Sequence, residues 1–278
     1  MAHAAVQRVA DLADIDVLHI KGFALDPSLI WDGRVGSDVD VLVRPSQVDR
    51  LLRALRTAGW VWVTGFAAGS PFGHAATLFH ELWGYVDVHR MFPGVELAPA
   101  AAFEILWRDR GTRTIAGTDC AVPALDGQVV VLLLHAAREA GATKARRDVE
   151  TVWVGASPER QNAVRALAER LQAQMALAAA VGELAMFRGQ RGYELWRVVS
   201  TGGTRAEEWW ARFLAAGSLA ERMAVLWRAI IVNSEHLAVV LGHPPTKPQI
   251  IREFFARPMR AALEEYRTIL LRVRKHQG

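Results

Sequence analysis

The segment Arg34-Val-Gly-Ser-Asp38-Val-Asp40-Val-Leu-Val43 decides how this sequence is read. From Val39 to Val43 the residues alternate with a period of two, and Pro45 stops the run, so the segment predicts a β-strand. Two carboxylates interrupt a strand otherwise made of Val and Leu. Residues two apart project from the same strand face, so Asp38 and Asp40 aim at one point if Asp38 already lies in the strand. Like charges so placed repel each other. Unless a cation sits between them, one takes up a proton or the fold is destabilised, and hard oxygen ligands of this kind suit Mg²⁺ or Mn²⁺.

Upstream, Asp16-Val-Leu-His-Ile20 is a short β-branched run that ends at Lys21-Gly22. Downstream, Ser46 begins a helix with Val48, Leu51, Leu52 and Leu55 at helical spacing, and Gly59 stands at the expected C′ position. Trp60–Thr64 and Tyr85-Val-Asp87-Val-His89 alternate again, with Gly65–Gly73 read as a loop between them, and Thr112–Ile115 with Cys120–Val122 predicts a hairpin. These strands and helices predict an α/β part with a mixed sheet.

Asp87, centred in its strand, offers a third oxygen ligand from a neighbouring strand. Three carboxylates holding two divalent ions is an arrangement suited to in-line phosphoryl and nucleotidyl transfer. His89 shares the face of Asp87 and is a candidate to support the metal site or touch substrate. His74 and His80 read as structural or surface residues, and His19 and His135, set in apolar runs, as core. No His/Cys cluster has zinc-ligand spacing.

From Leu125 onward the period turns helical. Ser157-Pro-Glu is an N-cap with Pro at the first helical position, and Thr204-x-x-Glu207 and Ser218-x-x-Glu221 match the capping box. Helices are expected at about 126–140, 144–154, 158–187, 191–200, 205–215, 219–241 and 247–275. Lys144, Arg146 and Arg147, at a helix start, are candidate phosphate-facing cations, and Asp148 a local partner for one of them. The tryptophans, Trp196, Trp209 and Trp210 among them, read chiefly as packing.

The 278 residues are 51% apolar and 22% charged with one cysteine, a composition that excludes disorder, collagen and disulfide scaffolds. Cys120 reads as a small buried hydrophobe in a reducing compartment, with the cytoplasm as the default. The N-terminus lacks a secretory pattern, and Val129–Leu134 and Met175–Val181 are far short of the roughly 20 residues of a membrane span, so no membrane partner is expected. The net charge of +4 divides unevenly: residues 1–150 hold 15 Lys and Arg against 18 Asp and Glu, and residues 151–278 hold 18 against 11. Arginine-rich solvated helix faces account for the basic half, and an anionic partner is the other reading. No dinucleotide-binding Gly-x-Gly-x-x-Gly, P-loop or nucleophile elbow is present.

A strand ending in Lys21-Gly22, an Arg34 ahead of Asp38-x-Asp40, a helix, and a later Asp87-x-His89 strand resemble the uncharacterised nucleotidyltransferase family of the polymerase-β-type superfamily. Leu132-Leu-Leu-His135 and Arg146-Arg-Asp148 are similar to its helical section. The resemblance implies Asp38 and Asp40 as paired metal ligands and Asp87 as the third carboxylate, which also helps deprotonate the acceptor hydroxyl. Gly22 would let backbone amides approach the triphosphate, and Lys21, where the superfamily usually has Gly-Gly or Gly-Ser, would add an ammonium. Ser37 would give phosphate a hydroxyl, and Arg34 would pair with phosphate or with an aspartate. Lys144, Arg147 and His89 complete the expected nucleotide-binding set, with Mg²⁺ or Mn²⁺ as cofactor and an NTP, such as ATP, as substrate.

The expectation is an α+β protein: a nucleotidyltransferase-like mixed β-sheet core over residues 1–124 and a C-terminal α-helical bundle over 125–278. It would transfer an NMP group to an unidentified acceptor, a small molecule or natural-product peptide, releasing pyrophosphate. The alternatives are a tRNA- or RNA-modifying nucleotidyltransferase toxin, supported by the basic half, and a degenerate nucleotide- or partner-binding module.

Overall fold

The computed structural model describes residues 1–34, 36, 38–66, 73–139, 141–230, 232, 237, 241, 243, 245–256 and 259–260. Ser37, the loop tip at 67–72 and everything beyond residue 260 of the expected last helix lie outside the described residues. Two compact units divide the chain, Met1–Glu183 and Leu184–Gly278.

The first unit opens with α1 (Ala2–Leu12), β1 (Val17–His19), β2 (Val39–Val43), α2 (Val48–Thr57), β3 (Val61–Thr64), β4 (Ala75–His80) and β5 (Gly84–His89). The five strands form a sheet in the order β1-β2-β5-β4-β3. All neighbours are antiparallel except β2 and β5, which run parallel, so the sheet is mixed. Period-two alternation then divides the side chains between two faces. Val17, Val39, Val41, Val43, Ala76, Leu78, Val86 and Val88 join Val6 and Ala10 of α1 and Leu51, Leu52 and Leu55 of α2 in one buried core. Burying these apolar surfaces against two helices is the main stabilisation of the sheet; truncating fully buried Leu55 to Ala is worth about 2–5 kcal/mol. The intervening residues Asp40, Leu42, Asp87 and His89 are left to the opposite face.

α3 (Pro99–Arg108) leads to the hairpin of β6 (Gly111–Ile115) and β7 (Thr118–Val122), turned by Ala116 and Gly117, both at positive φ. α4 (Leu125–Ala136) follows, buried from Gly127 to Leu134, then α5 (Thr143–Val149), α6 (Pro158–Arg170) and α7 (Gln174–Val181). The helix expected over 158–187 is thus broken. Gln172 takes φ 53°, and the carbonyls of Leu171 and Gln172 accept from the amides of Leu97 and Glu96, so the chain turns where a neighbouring segment supplies partners. The helix expected over 144–154 also changes character: α5 passes into a π-helical turn, Glu150–Val154.

β4, α1 and α3 are additions to the sequence reading. β4 lies between β5 and β3, and its His74-Ala-Ala-Thr-Leu-Phe start carries few β-branched residues. The second unit contains α8 (Tyr193–Thr201), α9 (Arg205–Ala215), and α10 (Leu219–Ile230), and residues 247–256 are helical. Thr204 and Glu207 form the expected reciprocal capping box of α9.

Candidate active site

The parallel pairing of β2 with β5 builds the site. Its register sets Asp40 opposite Asp87 and Leu42 opposite His89. Side chains at matched positions of adjacent strands point the same way, so one ligand atom each from Asp40, Asp87 and His89 lies within 4.8 Å of the others.

Lys21, at the end of β1, places Nζ 2.8 Å from Asp40 Oδ1, and His89 Nε2 is 2.9 Å from the same oxygen. Burial pushes the Asp40 carboxyl up, but the Lys21 ammonium and the His89 hydrogen bond outweigh it and hold the carboxyl well below its usual range. Asp87 goes the other way. Burial and the neighbouring Asp40 charge raise it, against the Thr77 hydroxyl, which donates to Oδ1 at 2.6 Å. Thr77 stands opposite Asp87 in the β4–β5 ladder, so the unanticipated strand β4 supplies a direct partner. Nδ1 of His89 is buried without a hydrogen-bond partner among the described residues. Two carboxylates of opposite pKa tendency and an imidazole form an oxygen-and-nitrogen donor set that fits a divalent cation such as Mg²⁺ or Mn²⁺.

Asp38 is exposed in the bend one residue before β2, outside the group formed by Asp40, Asp87 and His89. Gly22 has φ +70° and begins a 3-10 turn, the left-handed geometry that suits glycine. Arg34 faces α5. Its Nε and Nη2 donate to the two oxygens of Asp148 at 2.8 and 3.0 Å, and Trp31 Nε1 donates to Asp148 Oδ1 at 2.8 Å. Asp148, expected to pair with a neighbour on its own helix, holds this distant arginine. Lys144 and Arg147 are exposed, Arg147 with its guanidinium 4.9 Å from the centre of the Trp31 ring.

Further residues with no functional role read from the sequence lie around His89. Phe92 stacks on His89 at 6.1 Å between ring centres, and the Arg138 guanidinium lies 5.3 Å from the Phe92 ring. Burial lowers Arg138 to about 10, against the attraction of Glu139 and Asp40. His135, a turn earlier, is pushed well below its usual range by burial and then by Lys21 and Arg138. His74 packs on His89 at 5.1 Å and is lowered by burial and by His89. His135 and Arg138, spaced i, i+3 just after the apolar run Val129–Leu134, were the available signal, because polar groups placed there need a polar destination.

Residues 3–185 match the family model described as uncharacterised nucleotidyltransferase. The match spans well over half the chain, and the chain belongs to that family. Among solved structures it is similar to the lincomycin-bound lincosamide antibiotic adenylyltransferase LnuA, at 15% identity and a TM-score of 0.37 over 53% of this chain and 92% of that one. A second is the antibiotic-resistance factor ANT(2'')-Ia, at 14% identity and a TM-score of 0.41 over 58% and 85%. A third is an antigenic nucleotidyltransferase-like protein from Paracoccidioides brasiliensis, at 18% identity and a TM-score of 0.37 over 66% and 90%. Comparison with curated proteins gives no match. Among the described residues, no helix is long and apolar enough to cross a membrane.

Proposed function

We propose that this chain is a metal-dependent nucleotidyltransferase that moves an NMP group from an NTP to a small-molecule or peptide acceptor. The acceptor oxygen bonds to the α-phosphorus as the bond to the bridging oxygen breaks and pyrophosphate leaves. The observation that carries this reading is the Asp40–Asp87 register on adjacent parallel strands, with His89 beside them and Lys21-Gly22 at the end of β1.

Asp40, Asp87 and His89 would hold the divalent ion, and Asp38, one residue before β2, would be its further carboxylate ligand. When bound, the ion supplies positive charge to phosphate oxygens where negative charge develops. The chain's own groups do the rest. The Asp87 oxygen not bonded to Thr77 takes the proton of the acceptor hydroxyl. The Gly22 turn lets backbone amides approach the phosphates. Lys21, released from Asp40, joins Arg138, Lys144 and Arg147 as cations that position the triphosphate, and Ser37 adds a hydroxyl. This kind of catalysis is mostly positioning and charge stabilisation. Arg34 acts indirectly, holding the approach to β2 against α5 through Asp148.

The test is incubation with each labelled NTP, Mg²⁺ or Mn²⁺, and a lysate split into RNA, protein and small-molecule fractions. Label is expected in the small-molecule or peptide fraction and is lost in Asp40→Asn and Asp87→Asn. Label in RNA moves the assignment to RNA modification. No label in any fraction, with no metal-dependent NTP binding, sinks the enzyme reading.

A further inference from the structure

A polar chain runs through the apolar interface between α1 and the sheet, beneath the Gly22 turn. His3, Gln7 and Asp11 stand four residues apart, one row along α1, and His19 of β1 faces them. Asp11 Oδ1 accepts from Gln7 Nε2 at 2.7 Å. A carboxylate only accepts, so the amide nitrogen of Gln7 must face it, which turns Gln7 Oε1 toward His19 Nε2 at 3.1 Å. His19 Nε2 therefore carries a proton and donates. Burial lowers both imidazoles, His3 to about 4 and His19 well below its usual range, so each ring is neutral and has one N–H. His19 Nδ1 is then bare and accepts from His3 Nδ1–H across 2.9 Å. His3 Nε2 is left as a bare lone pair.

That lone pair is aimed at the site. His3 is 3% exposed, and Nε2 has no hydrogen-bond partner among the described residues. It lies 3.2 Å from where a Cβ on Gly22 would stand, and the carbonyl oxygen of Asp38 is equally close. Gly36 closes the other side, since a Cβ on it would lie 3.2 Å from Gly22 Cα. Gly22 is thus enclosed between α1 and the segment entering β2, with a Cα–H, a weak donor, facing an acceptor.

We infer that His3 is a positioning residue: its bare Nε2, oriented from Asp11 through Gln7 and His19, fixes the Gly22 turn, and with it Lys21 and the Asp38 backbone, for binding the triphosphate. This rests on the nucleotidyltransferase reading above. The reversed tautomer would turn an N–H toward a Cα–H and leave His19 Nδ1 facing a second lone pair, so one arrangement satisfies the whole chain.

Two variants of the full chain separate the role of Nε2 from that of Nδ1. His3→Gln keeps an acceptor near the place of Nε2, whereas His3→Asn keeps a donor near Nδ1 and removes the group facing Gly22. Dissociation constants for ATP, GTP, CTP and UTP with Mg²⁺ are measured beside urea midpoints and the ¹⁵N resonances of the His3 ring. The expected result is a proton on Nδ1 alone and binding weakened about tenfold or more in His3→Asn, with His3→Gln much closer to the original chain and unfolding midpoints similar. Unchanged binding in His3→Asn, loss of affinity that merely follows loss of stability, or a proton on Nε2 overturns the role of His3. If the original chain binds none of the four NTPs, the nucleotide reading fails and the inference with it.

Discussion

Asp87 and Lys21 carry opposite charges into the same buried group, with opposite consequences for stability at the scale of single residues. Asp87 is raised by burial and by Asp40, so in the window between its ordinary value and its raised one the folded state holds a proton the unfolded chain has released. Stability from this group is present at low pH and lost as pH rises through that window. Asp87→Asn is therefore expected to raise the melting temperature by a few degrees at pH 7, to lose that advantage near pH 4, and to abolish labelling. Added Mn²⁺ should stabilise the original chain and not the variant; equal stabilisation of both would remove Asp87 from the ion's ligands. Lys21 gives the complementary case. Its ion pair with Asp40 is largely buried, so Lys21→Met leaves a buried carboxylate with one fewer partner and should destabilise by about 2 kcal/mol. Divalent cation should restore much of that loss, read as a shift in urea midpoint. Of these residues the aspartates, Lys21 and His89 stood out in the sequence, as charges interrupting or ending apolar runs. Thr77, Phe92 and Arg138 did not, because nothing local to them marks the strand or ring they meet.

Among the elements, α5 is tied to the approach to β2 by a buried pair. The Arg34 and Asp148 side chains are 3% and 1% exposed and meet through two parallel hydrogen bonds, with Trp31 donating to the same carboxylate. Removing one partner strands the other charge, so Asp148→Ala should cost about 3–5 kcal/mol. The double variant Arg34→Met with Asp148→Leu should recover most of that stability, as measured by urea unfolding; a double variant as unstable as the single would point to a different cause. In the turn just past α4, Arg138→Gln keeps length and some hydrogen bonding but deletes the charge. It is expected to weaken NTP binding about tenfold with little change in unfolding midpoint. Most strands and α2 were legible from period-two and period-3.6 patterns. β4 was not, since a strand set between two others draws its stability from ladder partners and carries no strong pattern of its own.

For the whole molecule, buried histidines set the acid limit. His3, His19, His74 and His135 are all lowered, with burial as the first cause. Below about pH 6.5 the unfolded chain takes up protons that these folded groups refuse, so stability falls as pH drops. Four such groups give a limiting slope of about 5 kcal/mol per pH unit, offset in part by Asp87 at lower pH. Urea midpoints should decline steadily from pH 7 to pH 5; a flat profile over that range would show these imidazoles titrating freely in the folded state.

The sequence by itself determined the alternating strands, the capping signals and the carboxylates that break Val-rich runs, because each is written in the local period or in the needs of one residue. Tertiary structure alone decided which charges meet. The parallel β2–β5 register chose Asp40, Asp87 and His89 as one group and left Asp38 in the exposed bend. Asp148 found Arg34 across the fold, and α1 carried His3 beneath Gly22. Contacts between residues far apart in the chain depend on strand order and helix packing, which minimise exposed apolar surface globally, and no local pattern encodes them.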